Sequence, residues 1–227
     1  MAKILVIDDE PSIINLVGAY LKPEGYDVYT AVDGKSGLKA ARAYKPDLIV
    51  LDLMLPGMDG IELLSQLRRE SNVYVILLTA KTEEIDKIVG LSVGADDYVT
   101  KPFSPRELVA RIKSALRRLQ PGSNSVIDNQ ILSFKHVRID VRARTVSVDD
   151  VPVEMTAIEF DLLKALAENR GRVLTREQLL EIVWGTTYYG EMRVVDVHLG
   201  HVRQKLGDPT LITTVRSVGY RFEDETL

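Results

Sequence analysis

Residues 3–12 read KILVIDDEPS, an apolar run, Ile4–Ile7, that stops abruptly in three acids, Asp8, Asp9 and Glu10. The run is short and rich in β-branched residues, as a buried strand is, and an amphipathic helical pattern, Pro11–Lys22, follows at once. A strand fit for a protein core therefore delivers adjacent carboxylates to its own end. Like charges so crowded repel, and the arrangement costs stability unless something positive sits among them.

Outward from this stretch the same alternation repeats. Further β-branched runs are Asp27–Ala31, Leu48–Leu51, Val73–Thr79 and Asp97–Thr100, and the helical patterns between and after them are Gly34–Tyr44, Gly60–Arg69, Glu83–Val93 and Pro105–Leu119. Strands and helices in strict alternation predict an α/β fold, a doubly wound five-stranded parallel sheet with right-handed crossovers. Leu48–Leu51 and Val73–Leu78 are nearly continuous apolar runs, as strands covered on both faces should be.

At 120–130 the text changes to QPGSNSVIDNQ, where Pro, Gly, Ser and Asn cluster without hydrophobic periodicity, the signature of a linker. Beyond it, Leu132–Val141, Thr145–Val148 and Val151–Glu154 predict short antiparallel strands, with Asp149-Asp150 a tight turn. Three helical patterns follow, Ala157–Asn169, Arg176–Val183 and Arg193–Leu206, and then a hairpin over Ile212–Phe222. Thr156 and Thr175 are placed to cap the first two of these helices, each with an acid three or two residues later. The expected organisation is a first domain at 1–119, a linker at 120–130 and an α+β second domain at 131–227.

Composition narrows the classes. A chain of 227 residues, 45% hydrophobic and 27% charged, can bury ample core as a soluble globular protein. There is no cysteine, which removes disulfides, thiolate metal sites and cysteine nucleophiles together. No apolar stretch approaches the roughly 20 residues that span a bilayer, and the first apolar run closes in acids, unlike a signal peptide. A cytoplasmic location is expected, with no membrane partner. The net charge of −4 gives no whole-chain basic signature, so any nucleic-acid function has to rest on local placement.

In an open parallel sheet, functional groups collect at the carboxyl ends of the strands. Asp8 and Asp9 end the first strand, Asp52 the third, Thr79 the fourth, and Lys101 follows the fifth. Three carboxylates in one pocket call for a cation, and with no cysteine and no histidine nearby a hard divalent ion such as Mg²⁺ fits better than zinc. Lys101 supplies a mobile point charge and Thr79 a hydroxyl donor, both suited to a phosphoryl group. Asp52, the central acid, is the natural nucleophile, because a carboxylate can carry a phosphoryl group as an acyl phosphate. A lone acid at a strand end is more often a cap or turn former, as Asp33 and Asp59 before glycine are expected to be. For Asp8, Asp9, Asp52, Thr79 and Lys101 jointly, that reading needs five coincidences at four matching strand ends.

The stretches IDDE, LDLMLPGMDG, LLTA and DDYVTKPFSPREL resemble the receiver domain of two-component response regulators, over nearly all of residues 1–119. The resemblance implies a flavodoxin-like fold, Asp52 as phosphoacceptor from a sensor histidine kinase, and Mg²⁺ (or Mn²⁺) held by Asp8, Asp9, Asp52 and the Met54 carbonyl. It implies Lys101 on the phosphoryl group, Thr79 and Tyr98 as a switch pair, and a cis peptide bond at Lys101–Pro102. Met54 and Lys81, which flank the site, are expected to tune the lifetime of the phosphate. Lys87, Asp96, Asp97, Arg106, Glu107, Arg111 and Arg118 offer both signs of charge on one prospective face, which a two-fold interface can pair with its own copy. In the family that face forms a homodimer on phosphorylation.

The second domain resembles the winged helix-turn-helix effector of the OmpR/PhoB subfamily, through MTAIEFDLLKALAENRGRVLTREQLLEIVWG, RVVDVHLGHVRQKL and ITTVRSVGYRF. Residues 121–227 carry 13 basic and 16 acidic residues, yet residues 193–222 hold five Lys or Arg against two acids. Positive charge gathered at one end is what a DNA-reading helix and its neighbour require. The likeness places Arg193–Leu206 in the major groove and Val215–Arg221 as the wing. Arg193, His201, Arg203, Lys205, Arg216 and Arg221 become the candidate DNA contacts, on double-stranded promoter DNA with RNA polymerase as a further partner. Val194, Val197, Leu199, Val202 and Leu206 are the expected buried stripe of that helix, while His198, Trp184 and Tyr220 read as structural.

Two other readings compete. Haloacid-dehalogenase-like phosphatases also use an aspartyl nucleophile, but need a second acid two residues on. Asp52 has Met54 there; Asp8 has Glu10, and no substrate-capping insertion is evident. The other is a DNA-binding protein whose receiver serves only as a dimerisation module, against which the complete set of acids, Thr79 and Lys101 argues. The expected function is therefore a phosphorylation-dependent transcriptional regulator, enzymatic only in self-catalysed phosphoryl transfer and loss.

Overall fold

The computed structural model describes residues 1–80, 90–119, 131–185 and 192–225. The expected linker, Lys81, Lys87 and most of the helical pattern Glu83–Val93 lie outside the described residues. The chain divides into two compact units, Met1–Leu116 and Arg117–Leu227.

In the first unit the strands are β1 (Lys3–Ile7), β2 (Asp27–Ala31), β3 (Leu48–Asp52), β4 (Tyr74–Ala80) and β5 (Asp97–Lys101). They form one parallel sheet in the order β2-β1-β3-β4-β5. Ile4 to Ile7 and Leu48 to Leu51 are fully buried, because helices cover both faces of these central strands. The helices are α1 (Pro11–Leu21), α2 (Gly34–Tyr44), α3 (Gly60–Arg68) and α4 (Pro105–Leu119), and residues 90–93 are also helical. Asp33 and Asp59 are indeed local: each caps a helix, accepting from Ser36 N at 2.9 Å and from Glu62 N at 2.7 Å. Register carries the strand ends to one rim, with Ile7 opposite Leu51, Asp52 opposite Leu78, and Thr79 opposite Thr100.

The second unit opens with four antiparallel strands, β6 (Ile131–Ser133), β7 (Val137–Asp140), β8 (Thr145–Val148) and β9 (Val151–Val153). The single run expected over Leu132–Val141 is thus two strands. They break at residues 134–136, where a turn bond runs from Phe134 N to Val137 O (2.9 Å). Asp224, from the far end of the chain, takes the backbone N–H groups of His136 and Val137, each at 2.9 Å. Three helices follow, α5 (Ala157–Glu168), α6 (Arg176–Trp184) and α7 (Arg193–Leu206), and then the hairpin β11 (Ile212–Val215) and β12 (Gly219–Phe222). A two-residue strand, β10 (Leu174–Thr175), which its length hides in the sequence, pairs with β12 to make a three-stranded sheet. Thr156 and Thr175 close capping boxes with Glu159 and Gln178. At Thr175 the reciprocal partner is therefore Gln178, three residues on, and not the acid Glu177. No described helix is long and apolar enough to cross a membrane.

Asp149 and Asp150 join β8 to β9 with φ of +46° and +64°. Two successive left-handed residues make the turn that matches hairpin twist, and glycine is favoured at the second. Asp150→Gly should raise stability by about 0.5 kcal/mol, after allowing for glycine's extra freedom in the unfolded chain. An unchanged or lower thermal midpoint would count against this account of the turn.

Candidate functional site

Asp8 and Asp52 are buried at the ends of β1 and β3, while Asp9 is exposed beside them. Gly60 fixes the loop after β3 tightly under this rim: a Cβ there would stand 2.3 Å from the Asp52 carbonyl oxygen. Lys101 reaches back from the end of β5. Its Nζ lies 2.9 Å from Asp8 Oδ2, 3.1 Å from Asp52 Oδ2 and 3.4 Å from Glu10 Oε1. The positive charge that KILVIDDEPS requires is supplied from 93 residues away. The second Asp8 oxygen accepts the Glu10 N–H at 2.9 Å, and the Met54 N–H donates to the Asp52 carboxylate.

Electrostatics follow from this packing. Burial pushes the Asp52 carboxyl above the usual carboxylate range; Lys101 pulls it back and the neighbouring Asp8 adds to the rise. Burial alone would lower Lys101, but the Asp8 hydrogen bond and the charges of Asp52 and Asp8 outweigh it and hold the ammonium above the ordinary lysine value. Side-chain oxygens of Asp8, Asp9 and Asp52 lie within 4.8 Å of one another. An all-oxygen donor set of this kind fits a hard divalent ion.

Thr79 is buried at the end of β4, next to the Asp52–Leu78 register pair. Tyr98 is only 5% exposed, more enclosed than the half-buried ring a strand position suggests. Lys101–Pro102 is cis, as the resemblance implied.

The expected dimer face is altered by what the side chains do within the chain. Asp96 does not belong to it. Its side chain is fully buried, bonded to Arg68 Nη2 at 2.8 Å and to Val75 N at 2.9 Å. Arg68 also donates to the carbonyls of Gly94 (2.7 Å) and Val73 (2.6 Å), so this guanidinium stitches α3 to the starts of β4 and β5. Asp97 is nearly buried and pairs with Arg111 at 3.1 Å, and Arg111 pairs with Glu107 at 2.8 Å. Arg106 is exposed, and Glu107 and Arg118 are partly so; Lys87 lies outside the described residues.

In the second unit, α7 buries Val194, Val195, His198, Leu199, Val202 and Leu206. Val195 and His198 take the place expected for Val197, which is half-exposed, because the His198 ring packs 5.8 Å from Trp184. Trp184 and Tyr220 are core residues, as read. His201 and Lys205, one turn apart, both face the buried Glu159 of α5, at 3.7 Å and 2.6 Å. Arg203 donates to Ile212 O (2.8 Å) and Thr214 Oγ1 (2.7 Å), tying α7 to β11. Arg221 is paired with Glu223, which also accepts from Thr213 Oγ1 at 2.8 Å. These side chains hold the domain together, whereas Arg193 and Arg216 point to solvent.

Sequence reasoning did not find the network that sets the hairpin against α7. Asp196 accepts from Tyr220 Oη at 2.6 Å and from Arg176 Nε at 2.7 Å, while the Arg176 and Arg203 guanidinium carbons lie 5.0 Å and 5.2 Å from the Tyr220 ring centre. A Tyr standing 24 residues from an Asp gives no local signal. Only the fold brings them together.

Residues 4–113 match the response regulator receiver domain family, and residues 150–222 match the family described as transcriptional regulatory protein, C terminal. The sensory transduction protein RegX3 of Mycolicibacterium smegmatis is 44% identical, over 98% of this chain and all of its own length. The alkaline phosphatase synthesis transcriptional regulatory protein PhoP of Bacillus subtilis is 46% identical, over 98% of this chain and 97% of its own. Among solved structures, a mutant of RitR aligns with a TM-score of 0.75 at 29% identity, covering 98% of this chain and 99% of that one. Response regulator DrrB, a Thermotoga maritima OmpR/PhoB homolog, aligns at 0.53 and 36% identity, with the same coverage.

Proposed function

The chain belongs to the response regulators of the OmpR/PhoB type, a receiver followed by a winged-helix DNA-binding domain, and on that premise we propose how its own residues act. It is a phosphorylation-dependent transcriptional regulator of a two-component system, partnered by a histidine kinase and by DNA. Asp52 is the phosphoacceptor: its carboxylate oxygen attacks the phosphorus, and the bond from phosphorus to the kinase histidine breaks. The observation that carries this assignment is the Lys101 ammonium bridging Asp8 and Asp52 at 2.9 Å and 3.1 Å.

Lys101 is placed to follow the incoming charge, since it already contacts the Asp52 carboxylate. Asp8, Asp9, Asp52 and the Met54 carbonyl would hold Mg²⁺ or Mn²⁺, which when bound draws negative charge off the phosphoryl oxygens. The phosphoryl group brings nearly two negative charges and new acceptor oxygens. Thr79 at the same rim turns its hydroxyl toward them, and Tyr98 on the neighbouring strand adjusts its packing. The same groups support slow self-catalysed loss of the phosphate.

The response is homodimerisation through α4 and its neighbours, using Arg106, Glu107 and Arg118 with Lys87. Asp97 and Arg111 contribute by exchanging their mutual pair for the partner's, while Asp96 stays inside. Dimerisation presents two tethered winged helices to neighbouring half-sites, raising the effective concentration of the second. Promoter occupancy then acts on RNA polymerase, in the cytoplasm.

Purified protein offered genomic DNA fragments tests this, with and without Mg²⁺ and a small acyl-phosphate donor. Donor should enrich fragments carrying paired half-sites at least several-fold. Equal recovery without donor would overturn phosphorylation control and favour a receiver that serves only to dimerise.

A further inference from the structure

The outward face of α7 is unexpectedly poor in charge. Its exposed positions are Arg193, Gly200, Gln204 and Lys205, and Lys205 is drawn back to Glu159. His201 leans the same way, Arg203 is bound to β11, and Asp196 is held by Arg176 and Tyr220. Arg193, Gly200 and Gln204 fall on one stripe, with Gly200 a single turn before Gln204. A side chain built on Gly200 would meet nothing within 4 Å, so this part of the helix surface stands clear of the rest of the domain. The bare glycine lets the helix backbone come close to a groove floor, within reach of a glutamine amide from the next turn.

Glutamine matters here because it is the outward group on the middle and last turns of α7 that carries both a donor and an acceptor. That pair matches the N6 donor and N7 acceptor of adenine in the major groove, whereas guanine offers two acceptors and is read best by Arg or Lys. Resting on the DNA-binding reading above, we propose that Gln204 is a specificity-determining residue that reads one adenine in each half-site. Arg216 on the hairpin contributes affinity through the phosphates, and with so few free cations sequence choice leans on this amide.

The test is selection from a randomised duplex pool by the full-length protein, with Mg²⁺ and acyl-phosphate donor, comparing wild type, Gln204→Ala and Gln204→Glu. Wild type should recover repeated half-sites with a fixed adenine. Gln204→Ala should flatten the preference at that one position, losing about 10-fold of discrimination while leaving the others intact. Gln204→Glu should move it toward cytosine, whose N4 amine a carboxylate accepts. A merely structural residue would weaken all positions together and would not change a base. Half-sites identical across the three proteins overturn the assignment to Gln204 alone, whereas a wild type that enriches no sequence overturns the DNA reading and this inference with it.

Discussion

Asp52→Asn will take up no alkali-labile phosphate from an acyl-phosphate donor in Mg²⁺, and its DNA recovery will be the same with and without donor. The carboxamide oxygen is a far weaker nucleophile than a carboxylate and forms no stable acyl phosphate, so the loss is complete, not graded. The fold should survive the change. Lys101 keeps Asp8 at 2.9 Å and Glu10 at 3.4 Å, and the carboxyl removed is one that burial already disfavours as an anion. Mass measurement of the intact chain reads the result directly. Phosphate retained on Asp52→Asn, whether at Asp8 or at Asp9, would remove Asp52 from its assigned role.

Arg68→Ala should destabilise the receiver by about 3–5 kcal/mol, the cost of leaving a buried charge without its counter-ion. Asp96 is fully enclosed, and the Arg68 side chain that meets it at 2.8 Å is itself only 11% exposed. The same truncation strips the carbonyls of Gly94 and Val73 of a donor. Hydrogen exchange in the full chain should show β4 and β5 amides losing protection while those of the second domain do not. Replacing both partners, Arg68→Met with Asp96→Asn, should restore most of the loss, since no unpaired charge then remains inside. A loss below about 1 kcal/mol for Arg68→Ala would mean that water or another group compensates Asp96.

The elements of the receiver were legible because strand and helix periods are local properties. Leu48–Leu51 can hardly be other than a covered strand, and Asp33 and Asp59 cap helices through their own next turn. The strand-end cluster was legible for a topological reason: parallel strands bring their carboxyl ends to one side whatever the loops do. What the sequence concealed is partnership across distance. Asp96 reads as one of two adjacent surface acids until Arg68, 28 residues earlier, draws it inside. Lys205 and His201 read as groove-facing side chains until α5 packs beside them and offers Glu159. The break in the run Leu132–Val141 depends on Asp224, some 88 residues away. Charge and period say which residues are polar and which face they share, but not which neighbour that face will meet.

The sharing of Lys101 among Asp8, Asp52 and Glu10 bears on how the regulator forgets. A site that a lysine of its own chain already spans has a set of contacts to fall back to once a phosphoryl group leaves. On the phosphoacceptor reading proposed above, each stimulus then meets the same arrangement of contacts as the last, so the output reports present phosphorylation and not its history.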